Sequence, residues 1–474
     1  MNKKKVDFTS GSIFAKLLFF AIPIIATNLL LGLYNAADMM IVSLSDEPNA
    51  VGAVGTAGPL VNLINNLCLG FSVGTNIIIA RYIGSKNRED SQRGTHTALT
   101  LGAILGVASM LVGVFVSRPV LALMGNTGNV LELATKYTVI FSLGIPFIAL
   151  TNVLVAVFRA KGDSKTPLIV LALSGLLNVI LNLFFVLVVG LSVEGVALAT
   201  MIANVFSFVI LVIRLRTAGE YVELSIRKLG IHKRAMRDIF SVGIPSAIQG
   251  ALYSISNLVI VSNIVALDTK LSPDKNLSPV LNGNAAQANL DGFIFMIISA
   301  LSQAAATFIS QNYGANQKER IKKGLASSYL LVVVLSIASS GLLLLFEEPL
   351  LALYGVVDGA PGTADALAFE TCMTRALLVV VPYFVCGLMD IGTTAIRSIG
   401  MPITSFMITF SGAFVFRIFW SFVIFPVWDT IVSVYIAYPI SWGAAAIVAF
   451  VFAVLNISKI GKAKAQNELN TTPC

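Results

Sequence analysis

Charged residues are scarce in this 474-residue chain: Asp, Glu, Lys and Arg make up 12% of it, against 56% for hydrophobic residues. A soluble protein of this length would need several domains with charge-rich surfaces. The mean hydropathy of +0.86 is too high for such a protein. Because a lipid bilayer accepts apolar surface on every side of a helix, the composition predicts an integral membrane protein with many spans.

Cysteine and histidine are also rare, with four and two residues. None of the cysteines follows a CxxC spacing and three lie inside apolar runs, which excludes a disulfide framework and a zinc site. Two histidines cannot build a haem or di-metal centre. The residues concerned are Cys68, Cys372, Cys386, Cys474, His96 and His232.

The sequence lacks an HExxH motif and a GxxxxGK[ST] phosphate-binding loop, and it has no soluble domain large enough to hydrolyse ATP. We therefore expect that the protein is not an enzyme and holds no cofactor. If it transports a solute, the energy must come from an ion gradient, with a proton or a sodium ion as the coupling ion.

Apolar runs recur along the whole chain, separated by polar or glycine- and proline-rich breaks such as GSKNRED (84–90), GDSKTP (162–167) and GANQKER (314–320). A spanning helix takes about 20 apolar residues, so the runs predict an all-α integral membrane protein with twelve transmembrane helices. The predicted helices cover about 17–43, 51–80, 95–117, 138–158, 167–190, 194–215, 238–266, 290–311, 325–346, 372–396, 402–426 and 431–457.

Most of the 32 Lys and Arg residues fall in segments that would face one side of the membrane. These segments include the N-terminal Lys3, Lys4 and Lys5 and the basic stretch 214–237. Since basic residues accumulate on the cytoplasmic side, both termini are predicted to be cytoplasmic. The basic residues behind the net charge of +8 then determine the orientation in the membrane and face anionic lipid. We therefore expect no nucleic-acid partner.

The chain also repeats itself. The matching pairs are PVLALMG (119–125) with PLLALYG (349–355), FRAKG (158–162) with IRSIG (396–400), and Gly84 with Gly314. Each half then holds six helices, and because six is even the two halves are related by a pseudo-two-fold axis along the membrane normal, as in transporters. The predicted organisation is an N-terminal lobe at 1–213, a basic cytoplasmic linker at 214–237, and a C-terminal lobe at 238–474.

Several stretches resemble the MATE (multidrug and toxic compound extrusion) family, and the resemblance spans nearly the whole chain. The resemblance implies extrusion of organic, often cationic, compounds driven by inward flow of protons or sodium ions across a bacterial plasma membrane. The stretches are LYNAADMMIV (33–42), VGTAGPL (54–60), GFSVGTNIIIARYIGSKNRED (70–90), FRAKGDSKTP (158–167), GVALAT (195–200), AIRSIGMP (395–402) and YIAYPISW (435–442).

Asp38 is the first candidate site residue, because a carboxylate at lipid depth is costly and can bind a cation or a proton. Asn28, Tyr34 and Asn35 share its helical face. On helices five and six, Ser174, Asn178 and Asn182 share one face and Thr200 and Asn204 share another, where interhelical packing is an equally open explanation.

The resemblance to the DinF-like branch of the family implies that Asp38, Tyr137, Asn178 and Thr200 form a cation-coupling site. Asn182 joins them, but it stands where that branch carries a second aspartate, so coupling through two carboxylates is in doubt. The oxygen atoms of Asp38, Asn178 and Thr200 would suit sodium. The NorM-like branch has a glutamate on helix seven that LYSISN (252–257) lacks.

Asp390 on helix ten is the acid of the C-terminal lobe, and the repeat aligns it with Asn152. Tyr383, Thr394 and Arg397 share its face, and a salt bridge with Arg397 or Arg417 is the structural alternative to a role in substrate or proton binding. Helices seven and eight add Gln249, Tyr253, Asn257, Gln303, Thr307 and Gln311. The predicted substrate cavity comprises Tyr34, Asn35, Asn152, Gln249, Tyr253, Asn257, Gln303, Tyr383 and Asp390.

These residues predict a monomeric secondary transporter in which two lobes rock around the cavity, with Pro23 as a hinge in helix one. Its partners would be small organic molecules and membrane lipid. A lipid or lipid-linked oligosaccharide flippase of the wider superfamily is the alternative, and a membrane enzyme or a passive channel are further ones. Arg417 is expected to pair with Asp390 or to extend to the outer surface. His96 is expected to be a packed or interfacial residue.

Overall fold

The computed structural model of the protein describes residues 6–217, 219, 221–272 and 277–460. Lys3, Lys4 and Lys5 of the basic N-terminus and the C-terminal tail with Cys474 lie outside the described residues. Every regular element in the described ranges is helical.

In the described ranges, eleven helical segments are long and apolar enough to cross a membrane, and one bent pair forms a twelfth, which confirms the predicted number of spans. The α-helices are α1 (Ile13–Val42), α2 (Ala50–Gly84), α3 (Arg88–Leu123), α4 (Gly128–Ala160), α5 (Lys165–Leu183), α6 (Val193–Arg216), α7 (Lys233–Leu271), α8 (Pro279–Gly314), α9 (Lys318–Leu345), α10 (Glu347–Ala352), α11 (Ala364–Arg375), α12 (Tyr383–Ser398), α13 (Pro402–Thr409), α14 (Phe416–Phe419) and α15 (Ile431–Lys459).

The tenth predicted helix is the bent pair. Helix α11 continues through a π-helical turn at Ala376–Val380, and its axis then bends by 42° before α12 begins. Pro382 stands at the break, where its missing backbone donor and its ring prevent a continuous hydrogen-bond ladder. The span therefore begins at Ala364, earlier than the apolar run at 372 indicates.

Several helices extend beyond their apolar runs because polar residues form their first turns. Helix α3 begins at Arg88, before the apolar run at 95. The side chain of Asn87 accepts a hydrogen bond from the backbone nitrogen of Asp90, and Glu89 and Asp90 carry negative charge where the helix dipole is positive. Thr430 caps α15 in the same way through the backbone nitrogen of Ser433.

The backbone conformation supports the internal repeat. Lys86 and Asn316, which occupy equivalent positions after α2 and α8, both adopt left-handed φ angles of 56° and 58°. The glycines that close the other repeated motifs do the same, with pairs of positive φ at Gly125 and Gly355 and at Gly162 and Gly400. Since only glycine and a few polar residues enter this region readily, the sequence repeat corresponds to repeated turn geometry.

The chain forms two compact units. Within the described residues, unit 1 comprises 6–11, 19–251 and 310–315, and unit 2 comprises 12–18, 252–309 and 316–460. In unit 1, α4 packs against α2, α3 and α6 around two clusters of buried apolar residues. In unit 2, α12 packs against α9 and α15.

Gly84, which ends α2, packs directly on a neighbouring backbone within unit 1. A Cβ atom at Gly84 would lie 1.9 Å from the carbonyl oxygen of Gln311, which no side-chain rotation can relieve. We expect Gly84→Ala to lower the free energy of unfolding by about 1–3 kcal/mol, the usual penalty for overpacking. Gly58→Ala in the same helix is the control, because its Cβ would meet no atom within 4 Å. Thermal unfolding in detergent measures both, and equal melting temperatures would contradict the expectation.

Candidate functional site

The C-terminal half of α1 is positioned by its contact with α5. The hydroxyl of Tyr34 donates a hydrogen bond to the carbonyl oxygen of Ala172 at 3.1 Å. Its ring lies against Gly175, where a Cβ atom would fall 1.7 Å from a ring carbon. Glycine at this position therefore lets the two helices approach closely, and Asp38, one turn after Tyr34, points toward the polar face of α5. Asn35 is exposed instead.

Asp38, Asn182, Asn178 and Thr200 form one continuous chain of hydrogen bonds across α1, α5 and α6. Asn182 Nδ2 donates to Asp38 Oδ1 at 2.5 Å and lies 3.3 Å from Asn178 Oδ1. Asn178 Nδ2 in turn donates to Thr200 Oγ1 at 3.2 Å. Both asparagines are buried, whereas Asp38 and Thr200 are half-buried. The structure thus brings together four of the five residues predicted for cation coupling.

The fifth residue, Tyr137 of α4, lies close enough to interact with the charge of Asp38. Its ring stacks on Phe141 at a centroid distance of 6.1 Å, and it packs against both buried apolar clusters of unit 1. Tyr137 therefore joins the polar chain to the apolar core, which holds the ring in place beside the carboxylate.

Asn182 Oδ1 is the unusual atom of this cluster. It is buried and has no hydrogen-bond partner among the described residues. Since Asn182 Nδ2 is directed to the Asp38 carboxylate, the amide cannot be reversed without placing two oxygens together. Leaving a buried acceptor unsatisfied costs about 1–3 kcal/mol, so this oxygen is available to a bound cation or a proton donor.

The oxygen atoms of Asp38, Asn178, Asn182 and Thr200 provide one carboxylate and several neutral donors. This set fits sodium or a proton better than a divalent ion, because a divalent ion prefers ligands with more negative charge. In the described ranges, no group of three or more His, Cys, Asp and Glu residues could hold a metal ion. Any ion at this cluster would therefore be held mostly by neutral oxygens.

Two neighbouring polar residues serve as packing contacts. Ser174 Oγ donates to the carbonyl oxygen of Ala203 at 2.6 Å, which joins α5 to α6. Asn204 Nδ2 donates to the carbonyl oxygen of Thr200 at 2.8 Å, within its own helix. Both residues thus satisfy backbone acceptors beside the chain of hydrogen bonds that begins at Asp38.

Asp390 lies in unit 2, and its partner is a residue that the sequence analysis missed. Ser302 Oγ of α8 donates to Asp390 Oδ2 at 2.5 Å. Arg397 interacts electrostatically with Asp390, and its Nη2 lies 3.4 Å from Thr394 Oγ1. Among the described residues, Arg417 forms no ion pair with Asp390.

Arg417 follows neither of its predicted arrangements. Its side chain is 2% exposed, which excludes extension to the surface. Its Nε donates to Ser441 Oγ at 3.2 Å and its Nη1 to Asn257 Oδ1 at 3.3 Å. The guanidinium lies 4.3 Å from the ring centroid of Tyr438, a cation–π contact. Asn257, predicted for the substrate cavity, therefore satisfies this buried arginine.

A buried ion-pair cluster in unit 2 was not predicted. Arg375 donates from Nε and from Nη2 to Asp291 Oδ2, each at 2.8 Å. Its Nη1 donates to Asn284 Oδ1 at 3.0 Å, and the hydroxyl of Tyr435 donates to the same oxygen at 3.1 Å. The sequence signal was an acid, Asp291, in the apolar run 290–311 and an arginine, Arg375, in the apolar run 372–396.

Glu347 at the start of α10 is buried near this cluster. Burial, reinforced by the negative charges of Asp291 and Glu348 and opposed by a hydrogen bond from Gln287, raises the pKa of Glu347 to about 7. Its Oε1 has no hydrogen-bond partner among the described residues. The folded protein therefore stabilises the protonated form of this carboxyl group.

We expect Glu347 to make folding stability depend on pH. The unfolded chain releases this proton near pH 4.5 and the folded protein near pH 7, so stability should decrease as the pH rises through this window. The protein should melt at a lower temperature at pH 8 than at pH 6, and Glu347→Gln should remove most of the difference. The neighbouring Glu348, which is exposed, provides the control variant Glu348→Gln. An undiminished pH dependence in Glu347→Gln would refute the assignment.

The remaining predicted residues divide between the units. The polar atoms of Gln311 form hydrogen bonds within unit 1: its Nε2 donates to the carbonyl oxygen of Ala160 at 2.7 Å and its Oε1 accepts from the backbone nitrogen of Phe8 at 3.3 Å. His96 is a packed residue, as expected, with both ring nitrogens bonded to backbone atoms of Gln92 and Ser225. Of the nine predicted cavity residues, unit 1 holds Tyr34, Asn35, Asn152 and Gln249, and unit 2 holds Tyr253, Asn257, Gln303, Tyr383 and Asp390.

In unit 2, the cavity candidates make contacts of their own. The hydroxyl of Tyr253 lies 3.9 Å from the sulfur of Met389, and Gln303 Nε2 lies 3.3 Å from Ser299 Oγ. The Tyr383 ring lies 5.2 Å from the Trp442 ring, measured between centroids. Met389 is the sequence neighbour of Asp390 on α12, and Gln303 is the sequence neighbour of Ser302 on α8.

Comparison with known proteins supports a transporter. A relative from Bacillus subtilis (strain 168), named probable multidrug resistance protein YoeA, is 27% identical over 359 residues, which cover 72% of this chain and 74% of the relative. A relative from Shewanella oneidensis, named FAD transporter, is 25% identical over 415 residues, which cover 86% of this chain and 87% of the relative.

The fold also matches a solved structure described as the outward-facing conformation of a multidrug resistance MATE family transporter of the MOP superfamily. The TM-score is 0.87 at 22% sequence identity, over 98% of this chain and 100% of the other. The sequence pattern of the MatE family matches residues 23–184 and 245–423, most of both halves of the chain. The protein is therefore a multi-pass membrane protein that belongs to the MATE family of transporters.

Proposed function

We propose that the protein is a secondary active multidrug efflux transporter, which exchanges organic, mainly cationic, compounds for protons or sodium ions. The observation that carries the proposal is the Asp38–Asn182–Asn178–Thr200 chain, with one carboxylate and one unsatisfied buried oxygen. Such a cluster can hold a single positive charge inside the membrane. The protein then acts by transport and not by catalysis.

Coupling requires that the ion and the substrate prefer different conformations. A ligand shifts a conformational equilibrium only by the difference between its affinities for the two states. Neutralisation of Asp38 by a bound ion removes the energetic penalty of a buried carboxylate, so the ion favours the conformation in which the cluster is enclosed. Substrate binding then favours the other conformation, and the two ligands drive exchange.

In this proposal Asp390 of unit 2 is the acid that attracts a cationic group of the substrate. Its hydrogen bond from Ser302 leaves a second carboxylate oxygen for that purpose. The absence of a glutamate in LYSISN (252–257) supports a relationship closer to the DinF-like branch than to the NorM-like branch. We further propose a monomer in the bacterial plasma membrane with cytoplasmic termini, which the distribution of basic residues supports.

Pro23 is the proposed hinge of α1. Its ring prevents one helical hydrogen bond, and Thr27 Oγ1 donates to the Pro23 carbonyl oxygen at 2.7 Å, which further weakens the regular ladder. We expect Pro23→Ala to lower the transport rate several-fold with little loss of stability, because the helix would bend less readily. Transport turnover in liposomes and melting temperature test this together, and unchanged turnover would contradict the hinge.

A second candidate function is FAD transport, since the Shewanella oneidensis relative with that name covers 86% of this chain. FAD carries negative phosphate groups, whereas the predicted cavity holds Asp390 and neutral polar groups. The two functions therefore differ in the charge of the substrate.

The experiment that separates them uses the purified protein in liposomes under an imposed proton or sodium gradient. We expect uptake of a fluorescent organic cation in response to one of the gradients, and the effective gradient identifies the coupling ion. Movement of FAD but not of the cation would replace multidrug efflux by FAD transport. Equal movement of the cation with and without a gradient would indicate a passive pathway.

A further inference from the structure

A cavity of about 480 Å³ lies in unit 1 where the start of α3 meets the segment before α7. Its lining includes Arg93 and His96 from α3, and Arg227, Lys228 and His232 from the linker. We call it the basic cavity. It is separate from the coupling cluster around Asp38, and none of its lining residues has a role in the proposed transport cycle.

The basic cavity has an excess of positive charge. Among the described residues, the only acidic one that lines it is Glu89, and this carboxylate is paired with Arg93 at 2.5 Å. Arg227 and Lys228 are exposed and make no ion pair with any residue in the described ranges. The cavity therefore offers two uncompensated cations side by side, which is the electrostatic requirement for binding a phosphate group.

Hydrogen bonds to α3 hold the walls of the cavity in place. His96 Nδ1 lies 2.7 Å from the carbonyl oxygen of Gln92, and its Nε2 accepts from the backbone nitrogen of Ser225 at 3.0 Å. The backbone nitrogen of His232 donates to Thr97 Oγ1 at 3.1 Å. The linker segment 225–232 is thus attached to α3 on both sides of Arg227 and Lys228, so the two cations are held by a preformed frame.

Exposed apolar side chains flank these two cations in the sequence. Ile226, Leu229 and Ile231 are 60%, 45% and 46% exposed. Large apolar groups beside unpaired basic ones are typical of a segment that lies in the membrane interface, with the apolar groups among acyl chains and the basic groups at the headgroups. Helices α3 and α7, which cross the membrane, both begin at this cavity.

We propose that the basic cavity binds the phosphate-bearing headgroup of an anionic phospholipid, with Arg227 and Lys228 on the phosphate and Ile226, Leu229 and Ile231 against the acyl chains. A free phosphate would satisfy the cations but leave the three apolar side chains exposed, so a lipid fits the whole surface. This site is independent of the transported substrate and of the coupling ion. A negative result in the transport assay would therefore not contradict the proposal of a lipid site.

The test uses the full chain in a neutral detergent, titrated with short-chain phosphatidylglycerol, with short-chain phosphatidylcholine and with inorganic phosphate. Native mass spectrometry counts the bound molecules. Each basic residue near an anionic lipid contributes roughly a factor of five, so the double variant Arg227→Gln/Lys228→Gln should bind phosphatidylglycerol about 30-fold more weakly. The control is Arg214→Gln/Arg216→Gln, which removes the same charge from exposed residues at the end of α6, outside the cavity.

Selective phosphatidylglycerol binding that only the cavity variant weakens would support the lipid site. Equal weakening by the control would show general charge attraction and overturn the proposal. Binding of inorganic phosphate as strong as that of phosphatidylglycerol, or equal binding of both lipids, would overturn it as well. Melting temperatures of the two double variants report whether either has lost its fold.

Discussion

Replacing Asp38 with asparagine is expected to abolish gradient-driven transport while leaving the fold intact. Asparagine keeps an oxygen that can accept the hydrogen bond from Asn182, so the contact between α1 and α5 survives. It cannot bind a proton or neutralise a cation, however, and the coupling free energy disappears. Since coupling between two ligands typically amounts to about 5–150-fold, accumulation of a fluorescent organic cation in liposomes should fall by at least about 10-fold.

The control for this variant is Asp46→Asn, the same chemical change at an exposed residue of unit 1 that follows α1. Exchange of substrate in the absence of a gradient separates coupling from substrate binding, and Asp38→Asn should retain such exchange. Full gradient-driven accumulation by Asp38→Asn would make Asp38 a structural residue. Loss of both activities together with a lower melting temperature would mean that its contribution is to the fold.

Asn182 determines how the coupling cluster can work. A second carboxylate at this position would place two negative charges within hydrogen-bond distance, and one of them would have to be neutralised. The amide instead donates to Asp38 and leaves its own oxygen unsatisfied. In the proposed exchange, a single carboxylate would neutralise one positive charge per cycle.

Composition and apolar runs predicted the twelve spans, and helical periodicity identified polar faces on single helices, whereas the grouping of those faces around Asp38 came from the resemblance to the family. Asn178 and Asn182 are four residues apart, so they share a face of α5. Thr200 was identified by its face on helix six, and Tyr137 was added by the resemblance to the family. The structure then joined Asp38, Asn182, Asn178 and Thr200 through hydrogen bonds that no single helix contains.

Contacts between distant helices could not be predicted. A helical pattern defines which residues share a face of one helix, but it does not define which face of another helix packs against them. Ser302 reaches Asp390 from α8, and Arg417 reaches Asn257 from α14 to α7. The sequence identified Asp390, Arg417 and Asn257 as polar residues, but it did not identify Ser302 and it did not pair Arg417 with Asn257. Pairing of Arg375 with Asp291 has the same origin, since the two residues belong to α11 and α8.

Breaking the buried ion pair between Arg375 and Asp291 should be the most destabilising single change in unit 2. The two side chains are only 9% and 3% exposed, and two nitrogens of Arg375 bond to one oxygen of Asp291. Removing either partner leaves an uncompensated charge with little access to water. Such losses destabilise proteins by about 3–5 kcal/mol, so Asp291→Leu and Arg375→Met should each lower the melting temperature in detergent strongly.

The double variant Asp291→Leu/Arg375→Met is expected to be more stable than either single variant, because it removes both charges and leaves apolar groups of comparable size. Buried ion pairs replaced in this way often cost little, since the desolvation penalty of the two charges disappears with them. Some loss should remain, because Asn284 would lose the donor Arg375 Nη1 and keep only the hydroxyl of Tyr435. If the penalties of the two single variants simply add in the double variant, the charges do not act as a pair. Transport by the double variant then distinguishes a structural role, in which activity recovers with stability, from a direct role of the pair in the transport cycle, in which activity stays lost.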